Sequence, residues 1–259
     1  MAEYTQWLQA LGLCMLRPLG VMLIMPLFNR TTLGGTLIRN ALALMIAVPA
    51  AAVYARAPIL TQGITYLHYG LLIGGELSIG LMIGFCAAIP FWVIDMAGFL
   101  IDTMRGASMA SVLNPLLGEQ SSLFGILFTQ IFSLLFLISG GFNQLIAAIY
   151  QSYIALPPGV SYRLDAAWLT FLSSQWQLMY ELCLCFSMPA LSIILLVDMA
   201  LGLINRSAPQ LNVFFLSMPI KSGCALLMLI ICSSFAYQTL LEHSLSFSPR
   251  IFTALQPQP

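Results

Sequence analysis

The sequence predicts an all-α integral membrane protein. Of its 259 residues, 60% are hydrophobic and only 7% are charged, whereas about a quarter of the residues in a soluble domain are charged. The apolar residues form continuous runs of about 17 to 36 residues, and a membrane-spanning helix needs about 20. They are not the ten-residue segments of alternating hydrophobicity that build membrane barrels. Since proline and glycine interrupt several runs, we expect six to eight helical segments.

Six apolar blocks define these expected helices, at residues 7–28, 38–54, 66–101, 123–150, 176–204 and 211–241. The first contains Arg17 and Pro18. The third is too long for a single span, and we expect it to divide near Pro90. The fourth is broken at Gly140-Gly141. We expect one domain over residues 1–259, with a first helical part (1–121), a second helical part (123–243) and a loosely ordered tail (244–259).

Composition and motifs argue against several classes of function. Nine basic and nine acidic residues cancel, which argues against a nucleic-acid-binding surface. All six cysteines lie in apolar runs without a C-x-x-C spacing, so we expect buried, inert thiols and no metal site. The two histidines are isolated, and the sequence has no G-x-S-x-G, P-loop or H-E-x-x-H motif. We therefore expect neither an enzyme nor a bound cofactor.

A stripe of polar residues runs along the helix expected before residue 106. At 100° per residue, Asp95, Gly98, Asp102 and Arg105 fall within an arc of about 80°. Lipid would reject such a stripe, so it is expected to face protein or water. Asp102 and Arg105 are three residues apart, and pairing with each other along the helix is an equally good interpretation.

A second stripe resembles the first. Asp198, Gly202, Asn205 and Arg206 share one side of a helix, and Asp198-Met199-Ala200 repeats Asp95-Met96-Ala97. A structural duplication and a chance repeat in a chain rich in Leu, Ala and Met both explain this pattern. Lys221, inside another apolar run, is expected to pair with one of the buried carboxylates.

Glycines in the block 66–101 predict close helix packing. Gly70 and Gly74 are four residues apart, as are Gly80 and Gly84, and small residues at this spacing let helix backbones approach each other in a membrane. The neighbour is a helix of the same chain or of another. Glu76 lies on the Gly80/Gly84 face, where a lone carboxylate is costly unless it is neutral or paired. Structural pairing and a role in transport or gating both remain open for it.

The segment 106–122, GASMASVLNPLLGEQSS, is polar, small and almost uncharged. A loop at membrane depth is tolerated only against protein or a water-filled cavity. Met109, Val112 and Leu113 suit an apolar constriction. An external connector between two helices fits the same residues, and both interpretations remain open at this point.

The same residues carry a family resemblance. FWVIDMAGFLIDTMRGASMASVLNP and LGLINRSAPQLNVFFLSMPIKSG, with RPLGVMLIMPLF and GELSIGLMIGF, resemble the T subunit of the type III secretion export apparatus (the SctT family, with FliR as its flagellar counterpart). The resemblance extends from about residue 17 to about residue 236. The form ID-x-x-RGAS is more similar to injectisome members than to flagellar ones.

The resemblance implies a non-enzymatic core subunit of the export gate, with a fold similar to a fusion of the R and S subunits. It implies assembly with several copies of the R subunit (FliP/SctR-like) and the S subunit (FliQ/SctS-like) into a helical pore for unfolded proteins. The U subunit (FlhB/SctU-like), the V subunit (FlhA/SctV-like) and needle and inner-rod components are further implied partners. The implied location is the bacterial inner membrane, with the assembled gate projecting towards the periplasm.

The resemblance also assigns roles to residues. A loop that helps to plug the closed pore corresponds to Gly106, Ala107, Ser108, Met109, Ala110, Ser111, Val112, Leu113, Asn114 and Pro115. Many family members carry an acidic residue where this chain has Asn114, so we expect no charge-based role there. Charged residues expected to be buried or at subunit interfaces are Glu76, Asp95, Asp102, Arg105, Asp198, Arg206 and Lys221.

A different class of protein fits part of the same pattern. Broken helices, carboxylates near the middle of the membrane and an internal repeat are typical of secondary transporters. A self-contained transporter of a small solute is therefore the alternative hypothesis. Such a protein would stay folded alone, whereas a gate subunit would purify with its partners.

Overall fold

Seven α-helices and one short 3₁₀ helix make up the part of the chain that the computed structural model describes. That part comprises residues 2–29, 35–54, 66–107, 122–158, 166–208, 210 and 212–247, and it contains no strand. The helices are α1 (Ala2–Ile24), the 3₁₀ helix (Pro26–Phe28), α2 (Thr36–Tyr54), α3 (Tyr66–Met104), α4 (Leu123–Ile138), α5 (Gly141–Ala155), α6 (Ala166–Ser207) and α7 (Val213–Leu245). The predicted all-α fold with six to eight helical segments is confirmed.

Five of these helices are long and apolar enough to cross a membrane. They are α1, α2, α3, α6 and α7, and the candidate spans are Gln6–Ile24, Thr36–Tyr54, Tyr69–Met104, Trp168–Ser207 and Phe215–Leu245. Helices α4 and α5 pass the same test only as a bent pair, which makes a sixth span if the pair counts as one. The chain is therefore a membrane protein.

The predicted division of the third block near Pro90 is wrong. Helix α3 runs through Pro90 as one helix of 39 residues. Proline removes one backbone N–H donor, and in membrane helices neighbouring groups satisfy the carbonyl that this leaves. At 1.5 Å per residue α3 is roughly 58 Å long, about twice the hydrocarbon thickness of a bilayer.

The predicted break at Gly140-Gly141 is present. Helix α4 ends at Ile138 and α5 begins at Gly141. Between them Gly140 has a φ of 83°, in the left-handed region. A residue with a Cβ rarely adopts this conformation, which explains why glycine stands at the turn.

The chain separates into two compact units, which are formed from different stretches of sequence. The first comprises Met1–Ile89, Leu137–Gln175 and Ser244–Pro259. In it α1 packs along α2, and α2 touches α5. Alanines 43, 47, 50 and 51 lie on the buried side of α2 together with Ile46, and their small side chains suit close helix contact.

The second unit comprises Pro90–Phe136 and Trp176–His243, and aromatic rings fill its core. The Phe91 ring centroid lies 5.0 Å from that of Phe132 and 5.4 Å from that of Phe136, both in edge-to-face geometry. Edge-to-face pairs of this kind add about 0.5–1.5 kcal/mol beyond the area they bury. Outside this core, only 11% of the apolar window of α7 is buried, so most of that helix faces lipid or other proteins.

Candidate functional site

A buried ion pair lies at the centre of the first unit. The side chains of Arg17 on α1 and Glu76 on α3 are 0% and 4% exposed. Arg17 Nε donates to Glu76 Oε2, and Nη2 donates to Oε1 at 3.1 Å. This two-point geometry matches the planar guanidinium to the carboxylate and makes the pair stronger than a single hydrogen bond.

Helix α5 supplies the remaining partners of the Arg17 guanidinium. Nη1 donates to the Ser152 hydroxyl at 3.2 Å, and Nη2 donates to the Leu156 carbonyl oxygen, just past the end of α5, at 2.7 Å. The guanidinium carbon also lies 4.5 Å from the centre of the Tyr153 ring, within the range of a cation–π interaction. Arg17 therefore ties α1, α3 and α5 together.

Glycines bring the backbones of α1 and α3 into direct contact around this pair. A Cβ added at Gly80 would overlap the Arg17 carbonyl oxygen, and one at Gly84 would lie 2.9 Å from the Val21 Cα. At these two positions the packing neighbour is a helix of the same chain. Within the described residues nothing lies within 4 Å of a Cβ added at Gly70 or Gly74, so close packing at these two positions stays a prediction.

Asp102 is the centre of a second polar cluster, at the junction of α3 and α4. Its side chain is 8% exposed. The carboxylate accepts hydrogen bonds from Arg105 Nε at 2.8 Å, Ser122 Oγ at 2.7 Å and the Phe124 backbone N–H at 3.1 Å. The Arg105 guanidinium lies 4.2 Å from the centre of the Phe124 ring. One carboxylate thus joins the end of α3 to the start of α4, on both sides of the segment 106–122.

The structure describes only the two ends of the predicted plug loop, namely Gly106, Ala107 and Ser122. Gly106 has a φ of 90°, in the left-handed region, and Met218 of α7 lies 3.7 Å from the position of a Cβ there. The remaining predicted plug residues lie outside the described part of the chain: Ser108, Met109, Ala110, Ser111, Val112, Leu113, Asn114 and Pro115.

The stripe predicted on α3 separates into a paired end and an exposed end. Asp102 and Arg105 pair with each other, as one of the two interpretations of the sequence had it. Asp95 is exposed, and its carboxylate lies against α4 at Gly125. A Cβ added at Gly98 would overlap the backbone nitrogen of Gly125, so the backbones of α3 and α4 touch beside Asp95.

The second stripe also contains an ion pair. Asp198 on α6 accepts from Lys221 Nζ on α7, with the two side chains 43% and 14% exposed. Arg206 is exposed in the last turn of α6, where a cation interacts favourably with the helix dipole. Since Asp95, Asp198 and Arg206 are exposed within this chain, their burial would require another protein.

The sequence interpretation missed Arg17, which it treated only as an interruption of an apolar run. A signal was available, because Arg17 is the one charged residue between Trp7 and Ile24, Glu76 lies deep in the apolar first half of α3, and glycines flank both residues. Ser152 and Tyr153 gave no comparable signal, since polar and aromatic residues are common in membrane helices.

The cysteines and carboxylates of the described residues form no cluster that suits a metal ion. Cys14, Cys86 and Cys183 are buried, but Cys185 is exposed, so the prediction that all six thiols are buried is wrong. Positions 183 and 185 point about 200° apart on a helix, and only one of them can face the core.

Comparison with known proteins places the chain in a family. The family described as bacterial export proteins, family 1, matches residues 8–246. Secretion system apparatus protein SsaT of Salmonella typhimurium is 43% identical over 260 residues, which cover 98% of this chain and 96% of that protein. Yop proteins translocation protein T of Yersinia pestis is 39% identical over 213 residues, 80% and 79% of the two chains.

A flagellar relative is also similar over a shorter part of the chain. Flagellar biosynthetic protein FliR of Bacillus subtilis is 35% identical over 170 residues, 64% of this chain and 65% of that protein. The two secretion-system relatives share more identity over longer stretches, which agrees with the injectisome preference of the ID-x-x-RGAS form. The chain belongs to the bacterial export proteins, family 1, as a T-subunit-type membrane component of the type III secretion export apparatus.

Proposed function

We propose that this chain is a core, non-enzymatic subunit of a type III export gate in the bacterial inner membrane. It assembles with R and S subunits into a helical pore for unfolded proteins that projects towards the periplasm, beside the U and V subunits and needle and inner-rod components. Its segment 106–122 helps to plug the closed pore. The family membership supports the gate assignment, and relatives named for secretion and translocation support protein export as its task.

The Asp102 cluster is the observation that carries the plug proposal. The carboxylate binds Arg105 before the segment, Ser122 at its last position and Phe124 after it. Both ends of the segment are therefore fixed next to each other at a buried anchor. A plug has to be held at a defined place while it remains displaceable, and an anchor at its base meets the first requirement without restraining its middle.

The outer surface supports the need for partner subunits. Large apolar side chains cover the exposed faces of α6 and α7, among them Leu203 at 68% and Phe235 at 73% exposure. Asp198, with a side chain 43% exposed, lies on the same α6 helix. A helix surface that carries both large apolar groups and a charge suits protein neighbours better than lipid alone.

The transporter alternative has lost three of the carboxylates on which it rested, although Asp95 has no cation partner among the described residues. It needs carboxylates that are free to bind and release a solute or a coupling ion. Glu76, Asp102 and Asp198 are each tied to a cation of the same chain, which leaves them unavailable for that cycle in this state. Family membership, which does not depend on these ion pairs, also favours the gate.

The test of the plug is ion leakage through the assembled gate. Deletion of residues 108–115 is compared with a deletion of equal length, residues 57–64, in the connection between α2 and α3. In cells that carry the complete export apparatus, the first deletion is expected to increase ion permeability and the second is not. Co-purification with partner subunits shows that each variant assembles. A leak-tight cell with a normally assembled 108–115 deletion would contradict the plug assignment.

A further inference from the structure

A groove in the second unit has walls that are almost entirely apolar and a single carboxylate. Its volume is about 550 Å³, and α3, α4 and α6 line it. Asp95, Phe99 and Leu100 come from α3, Ile126 from α4, and Leu184 from α6. A volume of this size falls in the range of small-molecule sites, and it leaves room for a long side chain.

Asp95 differs from every other carboxylate that the structure describes within the candidate spans. The others each have a side-chain partner in the chain: Glu76 with Arg17, Asp102 with Arg105, Asp198 with Lys221, Glu181 with Gln177 and Glu242 with Gln238. Asp95 has no hydrogen-bond donor or cation within the described residues. An ionisable group inside a membrane helix that lacks a partner is costly, and such groups normally pair.

The close packing of α3 on α4 sets the position of this carboxylate. Gly98 and Gly125 bring α3 and α4 into contact next to it, and Asp95 Oδ1 lies 2.8 Å from the position of a Cβ at Gly125. Because glycine leaves room there, the carboxylate lies against α4 at the wall of the groove. It is held at an open site, where an external group can reach it.

We infer that this groove receives a lysine or arginine side chain from an apolar helix of a neighbouring gate subunit, and that the cation pairs with Asp95. The inference rests on the proposed function, since it requires gate partners. Charge complementarity selects a cation. The apolar walls select a long aliphatic stem, which lysine and arginine have behind their charged heads.

The edge of the groove favours a helix over a free ion or solute. Phe99, Ile126 and Leu184 line the groove and are 46%, 49% and 52% exposed, and such an apolar surface suits an apolar helix better than a hydrated ion. A divalent cation would need several oxygen ligands. The groove offers one carboxylate and the hydroxyl of Ser122, whose proton is already donated to Asp102.

Site-specific photo-crosslinking in the assembled export apparatus tests this inference. A photoreactive residue at Leu184 is expected to form a covalent adduct with one partner subunit, and the crosslinked peptide is expected to contain Lys or Arg within an apolar stretch. Asp95→Asn keeps the shape and removes the charge, and it is expected to lower the yield at least about tenfold, as loss of a desolvated ion pair at an interface does. Asp95→Glu is expected to keep most of the yield.

Glu242→Gln is the matched control, since it neutralises a carboxylate on α7 that already has a side-chain partner in the chain. It is expected to leave the yield at Leu184 unchanged. Asp95→Lys is expected to abolish the adduct, and an acidic substitution of the partner's cation is expected to restore it. This reciprocal rescue is a result that general misfolding would not give.

Three outcomes would overturn the inference: an adduct with lipid only, an adduct peptide without a basic residue, and an Asp95→Asn yield equal to that of the wild type. The same samples distinguish failure of the groove inference from failure of the proposed function. If the chain still purifies with secretion subunits and supports secretion, only the groove assignment fails. If it purifies with no secretion component, the gate assignment itself fails.

Discussion

Removal of one member of the buried Arg17–Glu76 pair is expected to destabilise the chain strongly. Glu76→Leu removes the carboxylate and leaves the guanidinium charged, with no counter-ion and 0% exposed. Arg17→Met removes the guanidinium and leaves the buried Glu76 carboxylate without its cation. The charge that stays behind lies among α1, α3 and α5, where water cannot replace the lost partner.

The expected magnitude follows from this burial. Breaking a buried pair by removing one partner costs about 3–5 kcal/mol, because the remaining charge is uncompensated. That is a large fraction of a total stability of about 5–15 kcal/mol. The double variant Arg17→Met/Glu76→Leu removes both charges, and replacing a whole buried pair by apolar residues is often nearly neutral. It leaves the Leu156 carbonyl without its donor, for a residual cost of about 1–3 kcal/mol.

The assay is thermal unfolding in a mild detergent, with protease resistance as a second readout. Each single variant is expected to lower the midpoint by on the order of 10 °C, given about 2–4 °C per kcal/mol for a chain of this size. The double variant is expected to recover most of that loss. Glu181→Leu applies the same substitution at an exposed carboxylate and is expected to change little. Single variants as stable as the wild type, or a double variant worse than both, would refute the reasoning.

Three further predictions concern packing and the other ion pairs. Gly80→Ala brings a methyl group against the α1 backbone and is expected to cost about 1–3 kcal/mol. Gly74→Ala meets open space among the described residues and is expected to be neutral or to gain up to about 1 kcal/mol. Thermal unfolding checks both variants. Asp102→Ala leaves three donors unpaired at the base of the segment 106–122, so limited proteolysis is expected to cut that segment faster than in the wild type, and equal rates would contradict the anchor. Lys221→Met removes a pair whose Asp198 partner is 43% exposed, so the loss of stability is expected to stay below about 1 kcal/mol, and a loss as large as that of Glu76→Leu would be inconsistent with this solvent screening.

The helical architecture was predictable because it depends on local properties. Long apolar runs require backbone hydrogen bonds inside each segment, which only helices supply without a partner strand. The break at Gly140-Gly141 was likewise predictable, since glycine there allows a left-handed turn. The continuity of α3 through Pro90 was not, because whether a proline divides a membrane helix depends on what surrounds it.

The charge pairs were only partly predictable. Asp102 and Arg105 lie three residues apart on one helix, so their pairing follows from helix geometry alone. Arg17 and Glu76 are brought together by the packing of α1 on α3. The glycines predict close packing of a helix at this position, but the sequence pattern does not say which helix it is. The choice of Asp198 for Lys221 depends on the arrangement of α6 and α7. It has no local signature.

The most direct test of the central claim is the composition of the complex that purifies with the full-length, affinity-tagged chain from a mild detergent extract of membranes. R-type and S-type secretion subunits are expected in excess over the tagged chain, because the proposed gate contains several copies of each. A stable, solitary monomer that remains folded and binds a small solute would contradict the central claim.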